Sequence, residues 1–95
     1  MRYTWDAEKN AANVRKHGIS FQRASRIFLG TTLEEIDETA DYEEERIKAI
    51  GLVEETEIFV VYTDRARGEQ RIISARKANA EERKAYWETF GAADG

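Results

Sequence analysis

The residues of this chain that can do chemistry are one histidine and a set of lysines and arginines, several of them on predicted strands. His17 lies between Lys16 and Gly18, at the end of a predicted first helix. The carbonyls at a helix C-terminus favour protonated imidazole, so His17 can act as a general acid or base, or simply cap the helix. With a single histidine and no cysteine, the chain has no donor set for a metal site and no disulfide. No glycine-rich phosphate loop and no nucleophile elbow occurs, so no cofactor is expected.

Strand parity sorts the remaining candidates. In a predicted strand from Arg46 to Leu52, Arg46, Lys48 and Ile50 share one side, and Ile47 and Ala49 the other. In a predicted strand from Gln70 to Lys77, strict alternation puts Ile72, Ser74 and Arg76 together. Arg71, Ile73, Ala75 and Lys77 then share the opposite side. Helices should cover the more apolar side of each strand. That leaves Arg46, Lys48, Ser74 and Arg76 on an open sheet face, where guanidinium forks suit phosphate oxygens. The plain alternative is a solvated face whose arginines pair with glutamates such as Glu45 and Glu69. Glu34 and Glu35 are adjacent in a strand, so they point to opposite faces and cannot act together.

Local signals set the elements that must position these groups. Asp6 is an N-cap for a helix over Ala7 to Lys16, whose apolar stripe is thin (Trp5, Ala12, Val14), with Gly18 as the stop. Ser20 caps a second helix in which Phe21, Ala24, Ile27 and Phe28 repeat at helical spacing, ended by Gly30. Leu33 to Asp37 reads as an edge strand, and Ile58 to Thr63 as the strongest strand. Asp64 to Glu69 reads as a hairpin loop. Asn79 and Glu82 form a capping box for a last helix, with Tyr86, Trp87 and Phe90 on its core side. The order predicts an α+β domain: a short N-terminal strand, two helices, an antiparallel meander and a C-terminal helix. Grouped on one face, the helices leave the other open. A single domain over residues 1–90 is expected, with 91–95 as a frayed tail.

The net charge of −4 is unevenly spread. Residues 1–30 carry six basic and two acidic side chains, and residues 34–57 two basic and eleven acidic. Residues 58–95 carry seven basic and six acidic. A phosphate-binding surface could be built from the two flanking thirds, and the plain reading of the acidic run from Glu34 to Glu44 is a solvated edge and turn. Neither a signal peptide nor a membrane span is expected, since the longest apolar run is Ile58 to Tyr62. A cytoplasmic protein follows as the default.

Three stretches together resemble the BrnT family of toxins from type II toxin–antitoxin systems. They are Trp5 to Asn10 followed by Asn13 to Phe21; Glu45-Arg46 with Ile50-Gly51; and Val61 to Thr63, Arg71 to Ala78, then Glu82-Arg83 and Tyr86. The likeness spans residues 3 to 87, and its Lys16-His17-Gly18 and Ile73-Ser74-Ala75-Arg76 segments are its most specific parts. The acidity of Asp37 to Glu44 and the short tail depart from a typical member. The resemblance implies a RelE-like fold and a metal-independent ribonuclease that stops translation. It also implies a BrnA-type antitoxin partner, in a heterotetramer of two toxins and two antitoxins, with operator DNA bound only through the antitoxin.

Metal-free RNA cleavage uses the substrate's 2′-hydroxyl as nucleophile. It needs a base, charge stabilisation at phosphorus and an acid for the leaving oxygen. Under that reading Arg46 and Arg76 hold the phosphate. His17 is the acid or base, Glu45 a base on the other side of its strand from Arg46, and Lys77 a substitute acid. Lys48, Ser74, Arg71 and Lys16 are left to contact RNA. The alternative from another class is a non-catalytic module that only binds a partner.

Overall fold

The computed structural model describes residues 2–38 and 44–91. Its elements are β1 (Arg2–Thr4), α1 (Ala7–His17), α2 (Phe21–Ala24), a 3-10 turn (Ser25–Leu29), β2 (Leu33–Ile36), β3 (Arg46–Val53), β4 (Thr56–Arg65), β5 (Glu69–Lys77) and α3 (Ala80–Phe90). The five strands form one sheet in the order β1-β5-β4-β3-β2, with β1 parallel to β5 and the other pairs antiparallel. The expected α+β class and element order are borne out. Asp41, Tyr42 and Glu43 of the acidic run, and the tail beyond Gly91, lie outside the described residues.

The caps act as the sequence predicts. The Asp6 carboxylate accepts the N–H groups of Glu8 (2.8 Å) and Lys9 (3.1 Å), and Gly18 closes α1 at φ 76°. The Ser20 hydroxyl accepts from Arg23 N–H at 3.0 Å. Asn79 and Glu82 complete a reciprocal capping box at the start of α3.

What anchors α1 differs from expectation. Ala12 and Val14 are exposed, and the buried residue of the helix is Asn13. Its amide donates to the carbonyls of Ile19 (3.0 Å) and Ala75 (2.8 Å) and accepts from Ala75 N–H (3.3 Å). β1 covers β5 only as far as Arg71, and Asn13 satisfies the outer edge of β5 beyond that reach. Asn10 similarly accepts from Phe21 N–H at 2.8 Å.

The predicted second helix is a single α turn followed by a tighter 3-10 turn. The Ser25 hydroxyl donates back to the Gln22 carbonyl at 2.7 Å, and the tightened path seats fully buried Ile27 on Gly51. A Cβ at Gly51 would lie 2.7 Å from Ile27 Cβ, so this contact needs a residue without a side chain.

The helices do not share a face. α1, α2 and the 3-10 turn cover the side bearing Ala49, Val53, Ile58, Val60, Tyr62, Ile72 and Ala75, with Ile19, Phe21, Ala24 and Ile27 as their contribution to the core. α3 crosses to the other side, where Tyr86 and Trp87 pack on Leu33, Ile50, Leu52 and Phe59. Leu33, Ile50 and Phe59 form one cross-strand row over β2, β3 and β4, and this second apolar patch draws α3. Trp87 is half-buried there, its indole N–H donating to Glu57 at 2.8 Å. Phe90, expected in the core, is 40% exposed because it lies in the last turn of α3.

Strict alternation also fails once in β5. Val61 faces Ser74 but Tyr62 faces Ile72, so Ile73 is an extra residue in a β-bulge. Ile72 and Ala75 therefore both face the main core, each 1% exposed. Arg71, opposite Thr63, moves to the face that carries Ser74 and Arg76.

Candidate functional site

The bulge adds Arg71 to a set of cations that regular alternation already places together. Cross-strand registers Arg46↔Thr63↔Arg71, Lys48↔Val61↔Ser74 and Ile50↔Phe59↔Arg76 place Arg46, Lys48, Arg71, Ser74 and Arg76 on one sheet face. From Phe59 to Thr63 the rows span about 13 Å, at about 3.3 Å per residue, so more than one backbone phosphate can lie along them.

At one end of this face, α3 rises over the sheet and leaves a groove of about 370 Å³. Leu33, Ile50, Phe59 and Ala85 give it apolar walls, and Glu35, Lys48, Arg76 and Glu82 line it with charge. Lys48 Nζ lies 3.5 Å from Glu35 across the β2–β3 register. The Arg76 guanidinium sits 4.2 Å above the Phe59 ring centroid, a cation–π contact. Its Nη1 and Nη2 donate to the two Glu82 carboxylate oxygens, each at 2.9 Å, and Nη1 also donates to the Lys77 carbonyl at 3.2 Å. Burial works to raise the Glu82 carboxyl. The Arg76 hydrogen bonds, the Asn79 N–H and the charges of Arg76 and Lys48 outweigh it and hold the group below the usual glutamate range.

His17 is not part of this groove. It is exposed at the end of α1 and lines a second cavity of about 290 Å³ with Arg23, Val53, Ile58 and Lys77. Val53 and Ile58 belong to the core under α1 and α2, so this cavity opens on the opposite sheet face from Arg76. The expected union of His17 with Arg46 and Arg76 in one site does not form. Lys77 goes with His17, because its register partner Ile58 faces the main core. Lys16 is exposed on α1, and Glu45 is exposed just before β3, away from the groove lining. The pairing expected for Glu69 is also different: it accepts from Thr4 (2.8 Å) and Arg2 (3.3 Å), not from the groove arginines.

Sequence reasoning missed Glu35, Phe59 and Glu82 as groove residues. Phe59 reads as one more apolar strand residue, and Glu82 is fully accounted for as a capping partner. Glu82 follows Arg76 by six residues across a strand–helix corner, and that spacing is the one signal that could have joined them. Among the described residues, no group of three or more histidines and carboxylates is arranged to hold a metal ion, and no helix is long and apolar enough to cross a membrane.

Residues 5–82 match the family described as "Ribonuclease toxin, BrnT, of type II toxin-antitoxin system". Among solved structures, the fold is similar to the crystal structure of the Brucella abortus ribonuclease toxin BrnT. That match has a TM-score of 0.64 and 26% identity, and covers 83% of this chain and 97% of the other. No curated protein matches the chain.

Proposed function

The chain belongs to the BrnT family of ribonuclease toxins of type II toxin–antitoxin systems, and from that premise we propose that it cleaves RNA, without a metal, at the groove between α3 and the sheet. One observation carries the assignment: Arg46, Lys48 and Arg76 share a single sheet face, the β5 bulge adds Arg71 to it, and Arg76 and Lys48 line its groove. Fixed cations there stabilise charge at a phosphate without any reorganisation when the reaction occurs. In this reading Arg76 and Lys48 hold the scissile phosphate. Glu35, the groove carboxylate beside Lys48, takes the proton of the substrate's 2′-hydroxyl. The 2′-oxygen attacks phosphorus, the bond to the 5′-oxygen breaks, and Lys48 gives that oxygen its proton, leaving a 2′,3′-cyclic phosphate. Arg46, Arg71 and Ser74 track the neighbouring backbone. His17, Lys16 and Lys77 stand outside the reaction.

The partner in this proposal is a BrnA-type antitoxin, two per two toxins, through which alone the complex meets operator DNA. The complex works in the cytoplasm, and residues 1–90 act as one domain. The test is incubation of the purified chain with RNA in excess chelator. Cleavage to cyclic-phosphate ends that Arg76→Ala abolishes and His17→Ala leaves intact supports the groove. A second reading has its own observation: both groove cations already face carboxylates, Arg76 on Glu82 and Lys48 on Glu35. That neutralised face suits a module that binds a partner without cleaving. Absence of cleavage at any concentration, with normal binding of the antitoxin, would favour it.

A further inference from the structure

We propose that Glu82 is a positioning residue for Arg76: its carboxylate holds the guanidinium so that one two-donor edge, Nε–H with the second Nη2–H, is presented to a substrate phosphate. The inference rests on the groove reading above and deepens it. A guanidinium has five N–H donors in a rigid fork. Three are committed, Nη1 to Glu82 and to the Lys77 carbonyl, and Nη2 to Glu82. The remaining Nε–H and Nη2–H lie side by side along one edge of the plane, the geometry that takes two oxygens of one phosphate. The Arg76 side chain is 36% exposed and lines the groove.

Two further contacts, and the Lys77 bond already named, fix the arrangement. The Phe59 ring lies under the guanidinium, its centroid 4.2 Å from the central carbon. Glu82 is only 19% exposed, and its Oε1 also accepts the Asn79 N–H at 2.9 Å, so the carboxylate is pinned to the first turn of α3. The backbone of the same corner, through the Lys77 carbonyl, takes the last of the three donors. The guanidinium therefore cannot turn without breaking its bonds to Glu82 and to the Lys77 carbonyl. A simple surface ion pair would lack this fixation.

The discriminating variant is Glu82→Gln. Glutamine keeps the capping box and one acceptor oxygen, so the fold survives, but it loses the charge and the symmetric two-point grip. With a short RNA oligonucleotide under single-turnover conditions, Glu82→Gln should slow cleavage by about 10- to 100-fold, the range for a displaced catalytic group. The oligonucleotide's Kd should change less than threefold. Because Glu82 acts through Arg76, adding Glu82→Gln to Arg76→Lys should cause no further loss. A second readout is independent of cleavage. The Arg76 Nε–H resonance, followed by NMR with the same oligonucleotide, should shift in the wild type and stay unshifted in Glu82→Gln. If Arg76→Lys and Arg76→Ala are inactive but Glu82→Gln cleaves and shifts like wild type, the positioning role is wrong and the groove reading stands. Additive losses in the double variant overturn the inference in the same way. If Arg76→Ala cleaves normally and the wild-type Nε–H does not respond to RNA, both fall.

Discussion

Asn13→Ala should remove much of the chain's stability, although the side chain lies on a short surface helix. The amide makes three hydrogen bonds, two to Ala75 and one to Ile19, in a place where Asn13 is 8%, Ile19 6% and Ala75 1% exposed. Alanine strands two buried carbonyls and one N–H. At about 1 kcal/mol net per bond, more where water cannot enter, the loss is about 3–4 kcal/mol. A domain of this size has about 5–10 kcal/mol in total. Urea unfolding followed by the fluorescence of Trp5 and Trp87 measures it, as a lower midpoint with an unchanged slope. Asn13→Asp provides an internal control. It replaces a donor with an acceptor against two carbonyl oxygens, so at neutral pH it should cost at least as much. Burial and that repulsion raise the folded pKa of the new carboxyl. Its protonated form can again donate, so the variant should regain stability as pH falls through that raised value. A loss below about 1 kcal/mol for Asn13→Ala would falsify the view that this amide, rather than an apolar stripe, fastens α1 to the sheet.

Other outcomes follow from single contacts. Gly51→Ala should destabilise by about 1–3 kcal/mol, because the added carbon meets Ile27 Cβ at 2.7 Å; a neutral midpoint in thermal unfolding would show that the 3-10 turn yields freely. Glu55→Gly should stabilise by about 1 kcal/mol: the two-residue turn between β3 and β4 holds Glu54 and Glu55 at φ 51° and 73°, a region that favours glycine. Arg71→Ala should lower the magnitude of the salt slope of RNA binding by about 0.7 per lost phosphate contact, read by fluorescence anisotropy at several ionic strengths. Asp6, Glu57, Glu69 and Glu82 are all held below their ordinary values. Their stabilisation is therefore present above the ordinary carboxylate range and is lost as pH falls through the lowered folded values; Glu82→Gln should flatten that acid limb.

The parts of the fold that were legible in the sequence are those governed by neighbours along the chain. Asp6, Ser20 and the Asn79–Glu82 box started their helices where expected, because a cap bonds to N–H groups two or three residues away. Alternation in β3 placed Arg46, Lys48 and Ile50 together, because no irregularity interrupts that strand. The family was legible too, since its Lys16-His17-Gly18 and Ile73-Ser74-Ala75-Arg76 segments survive intact. Asn13 shows where local reading stops. Its motif position was plain, but its partners on β5 lie 62 residues away.

The candidate site followed the same division. The sequence alone determined which cations exist and put Arg46, Lys48, Ser74 and Arg76 on one face. Only the tertiary structure decided that Arg71 joins them, because one extra residue at Ile73 inverts the parity of everything before it. It also decided that α3 packs on the opposite face from α1. The patch that receives it is assembled from Leu33, Ile50, Leu52 and Phe59 on three strands, and no single stretch of sequence contains it. That packing sets Glu82 against Arg76 and separates both from His17, since a sheet has two faces and contacts across space choose which one each helix covers.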